Sequence, residues 1–170
     1  LLGEICDEAK VPAGVLNVVH GLGEVAGAAL AGHPGIKAIS FTGGTNTGRS
    51  IASVAARSFK KVSLEMGGKN PAIVFADADL EQTAEQLAKA AFLNQGEICL
   101  CGSRILVEAS AYDAFKSLYV PKVKALKTGA PDDPDAALGA LISQAHKDEV
   151  MQAIAYALED GGSLLCGGDA

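Results

Sequence analysis

Short apolar runs that each end at glycine, and are then followed by a helix-favouring stretch, recur through the first 66 residues. VLNVV (residues 15–19) ends at His20-Gly21-Leu22-Gly23, and an alanine-rich stretch occupies residues 24–30. IKAISF (36–41) ends at Thr42-Gly43-Gly44-Thr45 and leads into a helical pattern over about 47–58, with Ile51, Val54 and Ala55 on one face. KVSLEM (61–66) closes the series. Buried parallel strands read as near-continuous apolar runs, and each needs a long crossover, usually a helix, before the next. The pattern therefore predicts strands at 15–19, 36–41 and 61–66 in an α/β fold with a mostly parallel sheet.

The same alternation continues after Gly67-Gly68. PAIVF (71–75) reads as a strand, and Asp79 is placed to cap a helix with Gln82 at its third position. Leu80, Ala84, Leu87, Ala88, Ala91 and Phe92 then fall on one helical face. That helix delivers the chain to an Asn94-Gln95-Gly96 turn and to Cys99, before a strand at RILV (104–107). A helix over about 112–126 contains Pro121, which is expected to kink or break it. Residues 129–139 read as a surface loop, and a last helix over about 144–158 ends at Gly161-Gly162. The opening residues resemble a helix end and SLLC (163–166) a strand, so the chain is expected to be a segment of a longer protein. A boundary at Gly67-Gly68 divides it into residues 1–67 and 68–170.

Composition excludes several classes. Apolar residues make up 49% and charged residues 20%, the balance of a globular protein rather than a disordered one. The net charge is −6, the three arginines are scattered, and the one basic doublet is Lys60-Lys61, so no nucleic-acid partner is expected. No apolar run approaches the length of a membrane span, and no basic-then-apolar signal opens the chain. Cys6, Cys99, Cys101 and Cys166 form no C-x-x-C pair and have no histidine at ligand spacing, so no metal site is expected. Reduced thiols in the cytoplasm are the simplest reading of them.

Two motifs carry chemistry. Glu65 stands in LEMGGKNP (64–71) and Cys99 in FLNQGEICLCGSR (92–104). A thiolate attacks carbonyl carbon and holds the acyl group as a thioester, and a carboxylate can activate the water that releases it. A solvent-facing strand end accounts for Glu65 equally well, and an inert buried thiol is the ordinary state of a free cysteine. By position alone Cys101 competes with Cys99. FTGGTNTG (41–48) sets Gly43 and Gly48 between a strand and a helix start, where unpaired N–H groups suit a pyrophosphate. Its spacing is neither a P-loop nor the usual dinucleotide fingerprint; Gly21, Gly23 and Gly27 come nearer to the latter, weakly.

Taken together these motifs resemble the aldehyde dehydrogenase superfamily. The resemblance runs through PAGVLNVVHG, HPGIKAISFTGGTNTG, KVSLEMGGKNPAIVFADADL, FLNQGEICLCGSRILVE and GGSLLCGG, in that order. It implies part of a Rossmann-like cofactor domain over residues 1–67 and part of an α/β catalytic thiol domain over 68–170. It implies Cys99 as nucleophile and Glu65 as general base, which decides between Cys99 and Cys101. It implies NAD, with NADP left open, against Gly23, Gly27, Phe41, Thr42, Gly43, Gly44, Gly48, Glu65, Met66 and Gly67. The implied reaction takes an aldehyde through a thiohemiacetal and a thioester to the acid, with a helix N-terminus, the cofactor ring or Glu65 favouring the thiolate. The implied parent protein is a homodimer or homotetramer. Two positions depart from the family's commoner pattern, Glu97 in place of Gln and Gly44 in place of Ser. GEICLCGSR is similar to the branch acting on 2-hydroxymuconic and 2-aminomuconic semialdehydes. The family's oxyanion-hole asparagine and a ribose-holding glutamate have no counterpart here, so the segment alone is expected to be weakly active or inactive. Two other readings stay open: a cysteine acyl-transferase or thioesterase without redox chemistry, and a non-catalytic fragment.

Overall fold

The computed structural model describes residues 1–169, which form two compact units, Leu1–Met66 and a second from Gly67 onward. The first unit opens with α1 (Leu2–Glu8). A π-helical turn at Gly23–Gly27 then runs directly into α2 (Ala28–Gly32). After it come β1 (Ala38–Gly43), α3 (Thr45–Ala56) and β2 (Lys61–Met66). β1 and β2 pair in parallel with Ala38 opposite Lys61 and Gly43 opposite Met66. The register groups Ile39, Phe41, Val62, Leu64 and Met66 on one face and Ser40, Thr42, Ser63 and Glu65 on the other. α3 covers the first of these faces: Ala55 is fully buried, and a Cβ at Gly48 would lie 2.5 Å from the Met66 sulfur.

The second unit repeats strand, helix, strand with β3 (Pro71–Val74), α4 (Leu80–Phe92) and β4 (Arg104–Val107), and β3 pairs in parallel with β4. Asp79 caps α4 by accepting the Gln82 N–H at 3.1 Å. The face of α4 read from the sequence is its packed face, with Ala84 and Ala88 buried. Val74, Ala84 and Phe115 form the core, with Leu80, Leu87, Ile105, Val107 and Leu118 around them. Burying side chains the size of Val74 or Phe115 stabilises a fold by about 1.5–3 kcal/mol each. Phe115 belongs to α5 (Tyr112–Lys124) and stacks on Tyr119 at 5.2 Å between ring centroids. α6 (Gln144–Glu159) is capped by Ser143 and ends in a Schellman motif. There Gly161 N–H donates to Leu158 O, Gly162 N–H donates to Ala157 O, and Gly161 takes φ 91°.

Several expectations need correction. Residues 15–19 form no strand among the described residues, and Val15, Leu16, Val18 and Val19 are exposed. An apolar run becomes a strand only where a neighbouring backbone accepts its hydrogen bonds, and the β1–β2 ladder does not reach it. The same holds for 163–166. The second strand is shifted two residues later than read, because Thr42 and Gly43 still pair with Glu65 and Met66. Pro121 does not break α5, which runs to Lys124. The proline lies in the last turns, so the single backbone bond it forgoes is lost close to where the helix ends.

Candidate active site

β1 and β2 run side by side, so their carboxyl ends lie together, the edge at which parallel α/β sheets place their chemistry. Thr42 stands opposite Glu65 there, and Gly43 opposite Met66. The alternation of the pleat puts Thr42 and Glu65 on the face away from α3, and both are exposed. Gly44 is the N-cap of α3 and makes no side-chain cap hydrogen bond, which leaves the first-turn N–H groups to an outside acceptor. Gly48, one turn on, is buried beneath Met66.

A cavity of about 790 Å³ opens between the Gly23–Gly27 turn, α2, β1 and α3. Gly23, Gly27 and Phe41, each expected at the cofactor, line it with Leu30, Ile39 and Ile51. Thr42, Gly43, Gly44 and Gly48 lie outside the lining, at the strand end and helix start. Gly23 and Gly27 have nothing within 4 Å of where a Cβ would sit, so bare backbone borders the space.

In the second unit the chain leaves α4 through a short turn of the backbone at Leu93–Gly96. Asn94, Gln95 and Gly96 take φ 50°, 59° and 74°, three successive left-handed residues. Such conformations cost a non-glycine residue about 1–2 kcal/mol and gather at functional sites. A Cβ at Gly96 would also stand 3.0 Å from the Ala91 carbonyl oxygen. The Gln95 side chain holds the turn by donating to Ala140 O at 3.1 Å. Past it, the Cys99 side chain is exposed whereas Cys101 is only 3% exposed, with its thiol directed at Leu93 O. No helix begins at Cys99, so the helix N-terminus expected beside it is not there. Gly67 packs on Cys99, its Cβ position 3.6 Å from the Cys99 Cα.

Two contacts at this turn have no signature in the motifs. Asn70 Nδ2 donates to the carbonyl oxygens of both Cys99 (2.7 Å) and Cys101 (3.2 Å). Glu97 accepts from His146 Nε2 at 2.8 Å. That hydrogen bond first, and then the Glu149 carboxylate 3.6 Å from Nδ1, hold the imidazole's pKa above its ordinary 6.5. Among the described residues no cluster of histidine, cysteine and carboxylates is placed to hold a metal. No helix among them is long and apolar enough to cross a membrane.

The profile of the aldehyde dehydrogenase family matches residues 1–170. The chain belongs to the aldehyde dehydrogenase family. It is 48% identical over 167 residues to the 2-aminomuconic semialdehyde dehydrogenase of Danio rerio, covering 98% of this chain and 34% of that protein. It is 46% identical over 169 residues to the 2-hydroxymuconic semialdehyde dehydrogenase of Pseudomonas putida, covering 99% and 35%. Among solved structures, HpcC of Thermus thermophilus matches with a TM-score of 0.94 at 41% identity, covering 99% of this chain and 33% of that one. Betaine aldehyde dehydrogenase of Staphylococcus aureus, in complex with NAD+, matches at a TM-score of 0.93 and 35% identity, covering 99% and 33%. This aldehyde dehydrogenase segment thus spans about a third of the length of the relatives it matches.

Proposed function

We propose that the protein carrying this segment oxidises an aldehyde to its carboxylic acid with NAD+, through a thioester on Cys99. Residues 1–67 are read as the end of the dinucleotide-binding domain and 68–170 as the start of the thiol domain. The observation that carries the proposal is the contrast of two neighbouring thiols, Cys99 exposed beyond a left-handed turn and Cys101 buried. The first unit fits a dinucleotide in three respects. Its apolar cavity has the size of a small-molecule site, Gly23 and Gly27 leave room for close approach, and α3 presents an uncapped N-terminus at the end of β1. Thr42, Gly43, Gly44, Gly48, Glu65, Met66 and Gly67 complete the proposed cofactor set.

The reaction follows from the groups present. The Cys99 thiolate adds to the carbonyl carbon, forming a C–S bond and moving the negative charge to oxygen. Among the described residues the Cys99 N–H donates to no backbone acceptor, so it is free to bind that oxyanion. Bound NAD supplies the acceptor for the hydride that the tetrahedral adduct must lose to become a thioester. Glu65 then takes a proton from water, whose oxygen attacks the thioester carbon; the C–S bond breaks and the acid leaves.

The semialdehyde-named relatives, together with the GEICLCGSR motif, support a muconic-type semialdehyde as substrate. Assembly as a homodimer or homotetramer and residence in the cytoplasm belong to the same proposal, the latter supported by four unpaired cysteines. The test is the absorbance rise of NADH with the full-length protein and a panel of aldehydes. Cys99→Ser is expected to lower turnover roughly 1,000-fold or more. Wild-type turnover in that variant, or thioester hydrolysis with no need for NAD, overturns the proposal.

A further inference from the structure

Asn70 follows the glycines of the glutamate motif, yet its side chain is engaged with the cysteine motif 29 residues further on. Carbonyl oxygens only accept hydrogen bonds, so it is the amide nitrogen, with its two hydrogens, that must face them. One hydrogen serves Cys99 O at 2.7 Å and the other Cys101 O at 3.2 Å. The backbone around it closes the same junction. Arg104 N–H donates to Asn70 O at 3.2 Å, and Arg104 Nε donates to Lys69 O at 3.0 Å. Ser103 Oγ adds a second donor to Cys101 O at 3.3 Å, whereas the Asn70 amide is the side-chain donor on Cys99 O.

We propose that Asn70 is a positioning residue for the nucleophile: by holding the carbonyls of Cys99 and Cys101 together, it sets the peptide planes of the turn and so the direction of the Cys99 thiol. The proposal rests on the reading of Cys99 as nucleophile. An exposed turn with left-handed residues on one side has few restraints of its own, and its sulfur must meet the carbonyl carbon within a fraction of an ångström. Misplacement by about 1 Å can reduce a rate about 100-fold. Aspartate at 70 has nearly the same shape as asparagine but offers an acceptor to two acceptors. It must therefore push the carbonyls apart rather than leave them unheld.

The experiment uses the full-length protein with Asn70→Ala, Asn70→Ser and Asn70→Asp, and reads three quantities. These are kcat with a saturating aldehyde, the rate of Cys99 alkylation by iodoacetamide, and the dissociation constant of NAD. Expected are a fall in kcat of about tenfold or more for Asn70→Ala, an intermediate value for Ser, which keeps one donor, and a value for Asp at or below that of Ala. Alkylation rates should follow the same order, with NAD binding within about twofold of wild type, since that ligand meets other residues. Wild-type kcat in all three variants overturns the inference, as does an Asp variant more active than Ser, or a loss of kcat matched by an equal loss of NAD-binding protein. Should Asn70→Ala fail to fold, the order of Ser and Asp decides alone. Cys99→Ser run alongside separates the two ideas: if it stays active, the reading of the nucleophile fails, and if it is dead while the Asn70 variants are normal, only the role of Asn70 fails.

Discussion

His146 Nε2 lies 2.8 Å from a Glu97 oxygen and its Nδ1 3.6 Å from one of Glu149, a turn further along α6. These two carboxylates are the charged groups that face it, and they favour imidazolium. Because the folded pKa lies above the ordinary 6.5, the contribution of this contact is fully present below that value. It is lost as the pH rises through the raised folded value. Glu97 stands two residues before Cys99, so the contact ties α6 to the turn that carries Cys99. NMR titration of the His146 ring is expected to show a midpoint above 6.5 that falls back toward it in Glu97→Gln. An unchanged midpoint in that variant would show that the contact does not form in solution.

At the scale of elements, α2 ends at Gly32 without a glycine or side-chain cap of its own, and Lys60 supplies the missing donors. Its ammonium, on a residue 9% exposed, donates to Ala31 O at 2.6 Å and His33 O at 2.7 Å, closing the helix onto the start of β2. Lys60→Met keeps the stem but leaves Ala31 O without that donor and His33 O with the Ile36 N–H alone, a loss of about 1–3 kcal/mol. Thermal unfolding should register it, and NAD binding should weaken because α2 walls the cavity; an unchanged Tm would contradict this account of α2. The basic doublet Lys60-Lys61 thus conceals a structural lysine beside an exposed one. Elements that carry their own instructions are legible in the sequence. β2 lies at Lys61–Met66, where its pattern puts it, and α4 begins at the residue after its Asp79 cap. Residues 15–19 mislead because strandness depends on a neighbour, and nothing in VLNVV names that neighbour. Pro121 misleads because its effect depends on how much helix remains beyond it.

For the whole molecule, the same logic separates what the motifs reveal of the site from what they hide. Glu65 and Cys99 stand out because glycine turns beside them mark them, and Cys101 differs from Cys99 in burial, which spacing cannot express. Asn70 and His146 act through contacts 29 and 49 residues away, and a lone Asn-Pro or a helix-start histidine reads locally as a turn or a cap. β2 of the first unit carries Glu65 near its carboxyl end, and the second unit carries Cys99 beyond its left-handed turn. The segment covers about a third of the relatives' length, so its chemistry is best tested in the full-length protein. The central claim is that Cys99 carries the acyl group and that Glu65 is needed to release it. Its most direct test is mass spectrometry of the Glu65→Gln protein quenched after mixing with NAD and an aldehyde substrate. The account predicts one acyl group per chain on the peptide at Cys99, formed in a burst and released slowly. An acyl group on Cys101, or no adduct alongside undiminished turnover, would contradict it.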